Sequence, residues 1–308
     1  IGIYLFRWLL FRLLFFSGAI KLLSRDVTWR NLTALRYHYE TQPLPTPLAW
    51  YMHQLPLGLQ KASTVFVFFA ELAVPFCFFA PRRVRYAAAW ITIALQVLIL
   101  TTGNYTFFNL LTIALAMFLF IEPRPAVRRR EWNLLLAAFI GMTSGLLVLE
   151  LFSVPLPPGG AEVLQIVSPL RIVNSYGLFA VMTTERREII VEGSADGVEW
   201  KAYEFPYKPG DLYRAPPVVE PHQPRLDWQM WFAALGTYQD NRWFVNFVVK
   251  LLQGEPAVLR LVQGNPFPKD PPKYVRARLF RYRFTHWGDR AWWSREELGE
   301  YLPPVSLR

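Results

Sequence analysis

The chain has 308 residues, 53% of them hydrophobic and 16% aromatic, a richer apolar share than a soluble domain carries. Its formal charge of +10 suggests a polyanion partner until it is divided: the residues up to Pro155 carry +8 and those after it only +2. The excess basic residues flank apolar stretches, where they report membrane topology, so a nucleic-acid partner is set aside.

In chain order, apolar runs at 3–23, 63–79, 86–102, 105–121 and 133–151 predict five membrane spans, because about 20 mostly apolar residues cross a bilayer. The third and fourth are short, about 25 Å each at 1.5 Å per residue, which leaves a re-entrant hairpin open there. The first run opens without Met, in "IGIYLFRWLLFR", and Arg7 and Arg12 interrupt it. That is not a signal-peptide pattern, and further sequence before Ile1 is expected. Arg82, Arg83 and Arg85 lie between the second and third spans; Arg124, Arg128, Arg129 and Arg130 lie between the fourth and fifth. By the positive-inside rule the loops at 81–85 and 122–132 are cytoplasmic. The segment after the first span, the turn "TTGNYT" and everything beyond Leu151 then share the opposite, periplasmic or lumenal side.

The segment "YHYETQPLPTPLAWYMHQLP", Tyr37 to Pro56, concentrates two histidines, a glutamate and four prolines. In an extended backbone His38 and Glu40 point the same way, and His53 reaches them only if the loop folds back. Two His and one Glu are a conceivable metal or acid–base site. HExxH is absent, and so is the PCxxC that would complete a zinc deaminase signature. The simpler reading is a stiff, extended connector whose prolines fix the backbone and whose Tyr, Trp and His side chains lie at the membrane interface. Glu71, inside the second span, is a further candidate, since an intramembrane carboxylate marks function or pairs with a cation such as Arg36. Asn104 and Asn109 bracket "GNYTFFN" as helix caps.

Residues 1–152 thus read as a membrane domain, 153–160 ("SVPLPPGG") as a linker, and 161–308 as an exported α+β domain rich in β-sheet, sandwich-like in build. Within the last, "EIIVEG" and "WKAYEF" flank the turn "GSADG" as a hairpin. Helices follow near 226–236 and 241–263, and "KYVRARLFRYRFT" reads as a half-buried strand with an arginine face. Cys77, in the second span, is the chain's one cysteine, so no internal disulfide supports this domain. His222, Arg225 and Asp227 fall within six residues, but no nucleophile elbow accompanies them. No phosphate loop, dinucleotide fingerprint or cofactor motif is present, and no cofactor is expected. Trp228, Trp231, Arg225, Trp243, Trp292 and Trp293 are the side chains that protein interfaces favour, and are the candidate partner-binding set.

Several of these stretches together resemble the lipase maturation factor family. They are the 37–56 segment, "PRRVRYAAAW", "TGNYTFFNLLTIAL", "IVNSYGLFAVMTTERREIIVEGSADGVEWKAYEFPYKPGDL", "PHQPRLDWQMWFAALG", "NPFPKDPPKYVRARLFRYRFT" and "GEYLPPVSL", in order along nearly the whole chain. The resemblance implies a multi-spanning membrane protein with a large exported domain. In animals such proteins sit in the endoplasmic reticulum and help secreted lipases fold and assemble, and members carry more sequence before "FRWLLFR". The membrane half is more distantly similar to the transmembrane domain shared with vitamin K-dependent carboxylases, although no carboxylase site residue maps here. The cysteine-free exported half and the preference for Arg over Lys point to a bacterial source. The function expected is a non-enzymatic accessory protein binding a client polypeptide or the subunits of a membrane complex. Its rivals are a membrane enzyme built on His38, Glu40, His53 and Glu71, and a lipid- or sugar-binding module.

Overall fold

The computed structural model describes residues 2–122, 131–175 and 177–307. The basic cluster of the second expected cytoplasmic loop, Arg124 and Arg128 to Arg130, lies outside the described residues. The chain forms two compact units: Ile1–Leu35, Leu57–Leu98 and Phe108–Met182 make one, and Arg36–Pro56, Ile99–Phe107 and Thr183–Arg308 make the other.

The first unit is helical. It holds α1 (Gly2–Leu23), the short α2 (Val27–Arg30) and, beyond α3 (Ala34–Thr41) and α4 (Pro47–His53), α5 (Leu57–Phe68), α6 (Arg82–Thr102), α7 (Phe108–Met117), α8 (Glu131–Leu151) and α9 (Gly160–Val167). A π-helical turn at Phe69–Ala73 and a 3-10 stretch at Val74–Phe79, opened by Pro75, continue α5. Among the described residues four helices are long and apolar enough to cross a membrane: Gly2–Leu23, Leu57–Phe79, Arg82–Thr102 and Glu131–Leu151. Of the run expected as a span at 105–121, only the ten residues of α7, about 15 Å, are regular α-helix. Helix α7 unwinds beyond Met117 because arginine side chains take up the carbonyls the helix would have used. Arg7 donates to Phe118 O (3.3 Å) and Ile121 O (2.5 Å), and Arg85 donates to Leu119 O (2.7 Å). Leu10, Phe11, Leu14, Val74, Phe78, Ala88, Ala89, Ala116 and Leu119 form the unit's core.

The second unit is a four-stranded antiparallel sheet in the order β2–β1–β3–β4, from β1 (Arg186–Ser194), β2 (Lys201–Tyr203), β3 (Tyr274–Phe284) and β4 (Trp293–Val305). The expected hairpin is β1–β2, with Val191 opposite Tyr203 and Gly197 in the left-handed region its turn requires (φ 81°). Two helices, α10 (Arg225–Ala233) and α11 (Arg242–Leu252), supply the core's other layer. Ile189, Val191, Val275 and Ala277 of the sheet meet Met230, Phe244, Val248 and Leu251 of the helices. The last three recur at helical spacing, so α11 turns one apolar face to the sheet. The architecture is therefore α+β with a helical layer, and among the described residues no second sheet forms the expected sandwich. The helix expected over 241–263 breaks at Gly254 (φ 66°), after which α12 is only Pro256–Leu259.

The division of the chain also differs from the expectation at two places. Residues 153–182, expected as a linker and the start of the exported domain, pack with the helical unit. Residues 36–56, expected as an extended connector, fold with the β-sheet as α3, a proline turn and α4. Thr46 caps α4 by accepting from Ala49 N, and Pro47 occupies its first turn, where a missing N–H costs nothing.

Candidate functional site

The residues singled out in the 37–56 segment all enter one polar junction of the second unit. Because α3 is a helix, His38 and Glu40 diverge by about 200° around its axis instead of pointing together. The ring of His38 stacks on Tyr105 (centroids 6.1 Å apart, 11° between planes), with Nε2 3.2 Å from the Tyr105 hydroxyl. That hydroxyl donates to Gln42 Oε1 at 2.9 Å, while Gln42 Nε2 donates to the carbonyls of Tyr39 and Thr102. Glu40 instead accepts from the backbone N–H of Phe284 on β3, at 2.6 Å. His53 Nε2 stands 3.9 Å from Glu40 Oε2, and its ring packs edge-on to Phe284. Burial pushes the Glu40 carboxyl up, against the pull of the Phe284 bond, Arg186 and Arg283. Burial likewise pushes the His53 imidazole down, opposed by a hydrogen bond to the Arg36 backbone and reinforced by the charges of Arg36 and His286. Among the described residues no group of three His, Cys, Asp or Glu is arranged to hold a metal ion.

Behind this layer lies a buried ion cluster that the sequence reading missed. Arg186, 1% exposed, reaches from β1 into the open end of α3 and donates to the carbonyls of Glu40 (2.8 Å), Gln42 (2.5 Å) and Pro43 (3.0 Å). Cations at a helix C-terminus meet both unpaired carbonyls and the negative end of the helix dipole. Its charge is matched by Glu188 at 2.7 Å, which also pairs with Lys208 at 3.0 Å, and its guanidinium lies over the Trp293 ring at 5.3 Å. Trp231 Nε1 completes the cap by donating to Thr41 O at 2.8 Å. The signal was present in "TERREII": Arg186 and Glu188, two apart on a strand, share one face, and charged residues repeating on a covered face require partners.

Asn104 ties in the 99–107 loop. Its side-chain N–H groups donate to Leu44 O (3.1 Å) and Pro217 O (2.9 Å), and its Oδ1 accepts from Val219 N (2.8 Å). A Cβ on the neighbouring Gly103, which bridges Pro45, would stand 2.0 Å from Gln42 Oε1 and 2.5 Å from the Tyr105 ring, so it would displace the Gln42–Tyr105 pair. Glu220 accepts from Tyr105 N, and burial raises its carboxyl to about 7.

The other candidates separate. Glu71 is paired in the helical unit with Lys21 (2.9 and 2.7 Å), not with Arg36; Lys21 also donates to Ser17 O and lies 5.4 Å from the Trp29 ring. Asp227 accepts from Tyr207 N and Lys208 N, while His222 packs against Tyr207, so the His222–Asp227 proximity in sequence makes no catalytic pair. Of the candidate partner residues, Trp293 is buried at 1% exposure and stacked on Phe284, which removes it from any contact surface. Trp228, Trp231, Trp243 and Trp292 are half-buried and Arg225 is exposed. Trp292 joins Trp50, Tyr51 and Trp287 in an aromatic cluster with centroids 5.1 to 6.3 Å apart. Trp287, 72% exposed, and Tyr51, 44% exposed, form its outer surface.

Sequence comparison covers both units. The family model described as the lipase maturation factor transmembrane domain matches residues 1–124, and that of the lipase maturation factor C-terminal domain matches residues 172–303. Human lipase maturation factor 2 is 38% identical over 99% of this chain and 60% of its own length. Lipase maturation factor 2 of Gallus gallus is 37% identical with the same coverage. Lipase maturation factor 1 of Mus musculus is 36% identical over 98% of this chain and 60% of its own length. The chain thus spans about 60% of the length of these curated relatives. No solved structure matches it at a significant level.

Proposed function

The chain belongs to the lipase maturation factor family, and we propose that it acts as a membrane-anchored accessory protein binding a partner polypeptide through its β-sheet unit. One contrast carries this reading. The polar groups of the 37–56 segment that could do chemistry are engaged inside the unit, His38 with the Tyr105 hydroxyl and Glu40 with the Phe284 N–H, whereas the rings of Trp287 and Tyr51 stand exposed. Tyr and Trp presented this way suit a protein interface, because they bury much area with few rotatable bonds. The partner is a secreted or membrane polypeptide under maturation, or a fixed neighbour in a membrane complex.

The proposal includes a topology. With the Arg82–Arg85 loop cytoplasmic, the β-sheet unit is periplasmic or lumenal, where a secreted client is met. The three segments of that unit, which follow α1, link α6 to α7 and follow Met182, fold together and so share a side. The test is co-purification from native membranes with wild type and with Trp287→Ala and Tyr51→Ala. A stoichiometric polypeptide retained by wild type and lost from both variants supports the reading. Retention by both, or a catalytic turnover abolished by Glu40→Gln, overturns it in favour of another surface or of an enzyme.

A further inference from the structure

Residues 152–182 follow the last long membrane helix, and their composition does not suit a soluble linker. The 31 residues contain two charged side chains, Glu162 and Arg171. Yet Ile166 (73%), Leu170 (62%), Ile172 (48%) and Val181 (67%) are exposed in the unit. Isolated exposed apolar residues are ordinary, but a segment-long run of them with so few charges is not.

The path of the segment within the helical unit gives the reason. Gly159, at φ 81°, turns the chain back after α8, and α9 runs beside that helix. Leu164, Gln165 and Val173 line one cavity with Thr143, Leu147 and Glu150 of α8. Thr143 lies eight residues before the end of α8, about 12 Å back along its axis. A 3-10 turn at Ser168–Leu170 reverses the chain, and Asn174 then offers its carbonyl to Arg12 Nη2 at 2.5 Å. Arg12 is 2% exposed and sits near the middle of α1, about 16 Å from Leu23. From there the chain climbs beside α1. Gly177 lies against Ile20, Phe179 O accepts from Trp29 Nε1 at 2.9 Å, and Met182 N donates to Asp26 at 3.0 Å.

We propose that residues 152–182 are a re-entrant membrane segment that dips beside α8, turns near the mid-length of α1 and returns, with Ile166, Leu170, Ile172 and Val181 facing lipid hydrocarbon. Non-helical backbone at such depth is tolerated where protein covers it, and Asn174, Gly177, Phe179 and Met182 lie against α1, Asp26 and Trp29. Continuity with α8 identifies the occupant of the exposed face as the bilayer, since the surface formed by α8 runs on into α9. Arg12, otherwise a charge within a spanning helix, is used to fasten the returning strand.

The test uses the whole chain in phosphatidylcholine vesicles. Cys77 is replaced by Ser, and single cysteines at Ile166, Leu170, Ile172 and Val181 carry a polarity-sensitive fluorophore, with Val198 (79% exposed, in the β1–β2 turn) as the aqueous control. The expected result is blue-shifted emission at the four positions, quenched by phospholipid brominated in mid-chain and insensitive to aqueous iodide, with deeper quenching at Leu170 and Ile172 than at Val181. The Val198 label should behave oppositely. Water-like emission quenched by iodide would place the segment in solvent and overturn the proposal. Labels dark to both quenchers would also overturn it, because another polypeptide would then cover the face.

Discussion

Arg186 shows how one side chain joins distant stretches of sequence. It satisfies three carbonyls at the end of α3 while its charge is held by Glu188. Arg186→Leu leaves Glu188 buried with one of its two cations gone and uncaps α3. We expect a loss of about 3–5 kcal/mol, read as a lower denaturant midpoint of the detergent-solubilised protein. Glu220 makes a second prediction. Burial holds its carboxyl up at about 7, against the Tyr105 bond that pulls it down. The folded chain therefore binds this proton more tightly than the unfolded chain. The stabilisation is present at acid pH and is lost as pH rises from the ordinary carboxylate value through about 7. Glu220→Gln should flatten that part of the pH–stability profile and raise the melting temperature at pH 8 relative to wild type. Trp287→Ala, at an exposed ring, should change stability by no more than about 0.5 kcal/mol in the same melts, so that a lost partner reports the surface and not the fold.

At the scale of elements, α1 and the α5 continuation join closely in the helical unit. Gly18 lets the helix approach the π-helical turn so closely that a Cβ would stand 2.8 Å from Leu72 Cδ2. Lys21 meets Glu71 one turn further on. Lys21→Met alone should destabilise by about 3–5 kcal/mol, since it strands a carboxylate away from water; the double change Lys21→Met with Glu71→Leu should recover most of that loss. Thermal melts of the three proteins in one detergent check this, and a double variant no better than the single would show the pair is not the coupling. The elements themselves were unevenly legible. The four long spans and the β1–β2 hairpin follow from apolar length and turn residues, which act locally. The shortening of α7 goes with Arg7 and Arg85 taking the carbonyls just beyond it, at Phe118, Leu119 and Ile121, and no local pattern reveals that. His38, Glu40 and His53 were found as candidates because their types are rare in an apolar region. The divergence of His38 from Glu40 followed from α3 being a helix, which the prolines nearby disguised.

For the whole molecule, the consequence is that the β-sheet unit is discontinuous in sequence. Residues 183–308 hold the sheet and its helices, but the partners of Arg186 and Trp231 come from 40–43, and those of Pro217 and Val219 from Asn104. Expressed alone, 183–308 should be markedly more sensitive to protease than the same segment in the full chain, with buried Arg186 and Glu188 exposed to solvent. Equal resistance would show that the sheet and its helical layer suffice.

The sequence by itself determined that the chain enters a membrane, where its long spans lie, that a β-hairpin domain follows, and which family it resembles. Each of these rests on composition, local period or residue identity within a short window. The tertiary structure alone decided that the 37–56 segment belongs with the sheet, that 153–182 packs with the helices, and that Lys21 and not Arg36 answers Glu71. Those outcomes depend on which buried charge or open carbonyl finds its complement across 50 to 150 residues of chain. Such pairing is a property of the packed interior, where an unmatched polar group costs more than any local propensity supplies.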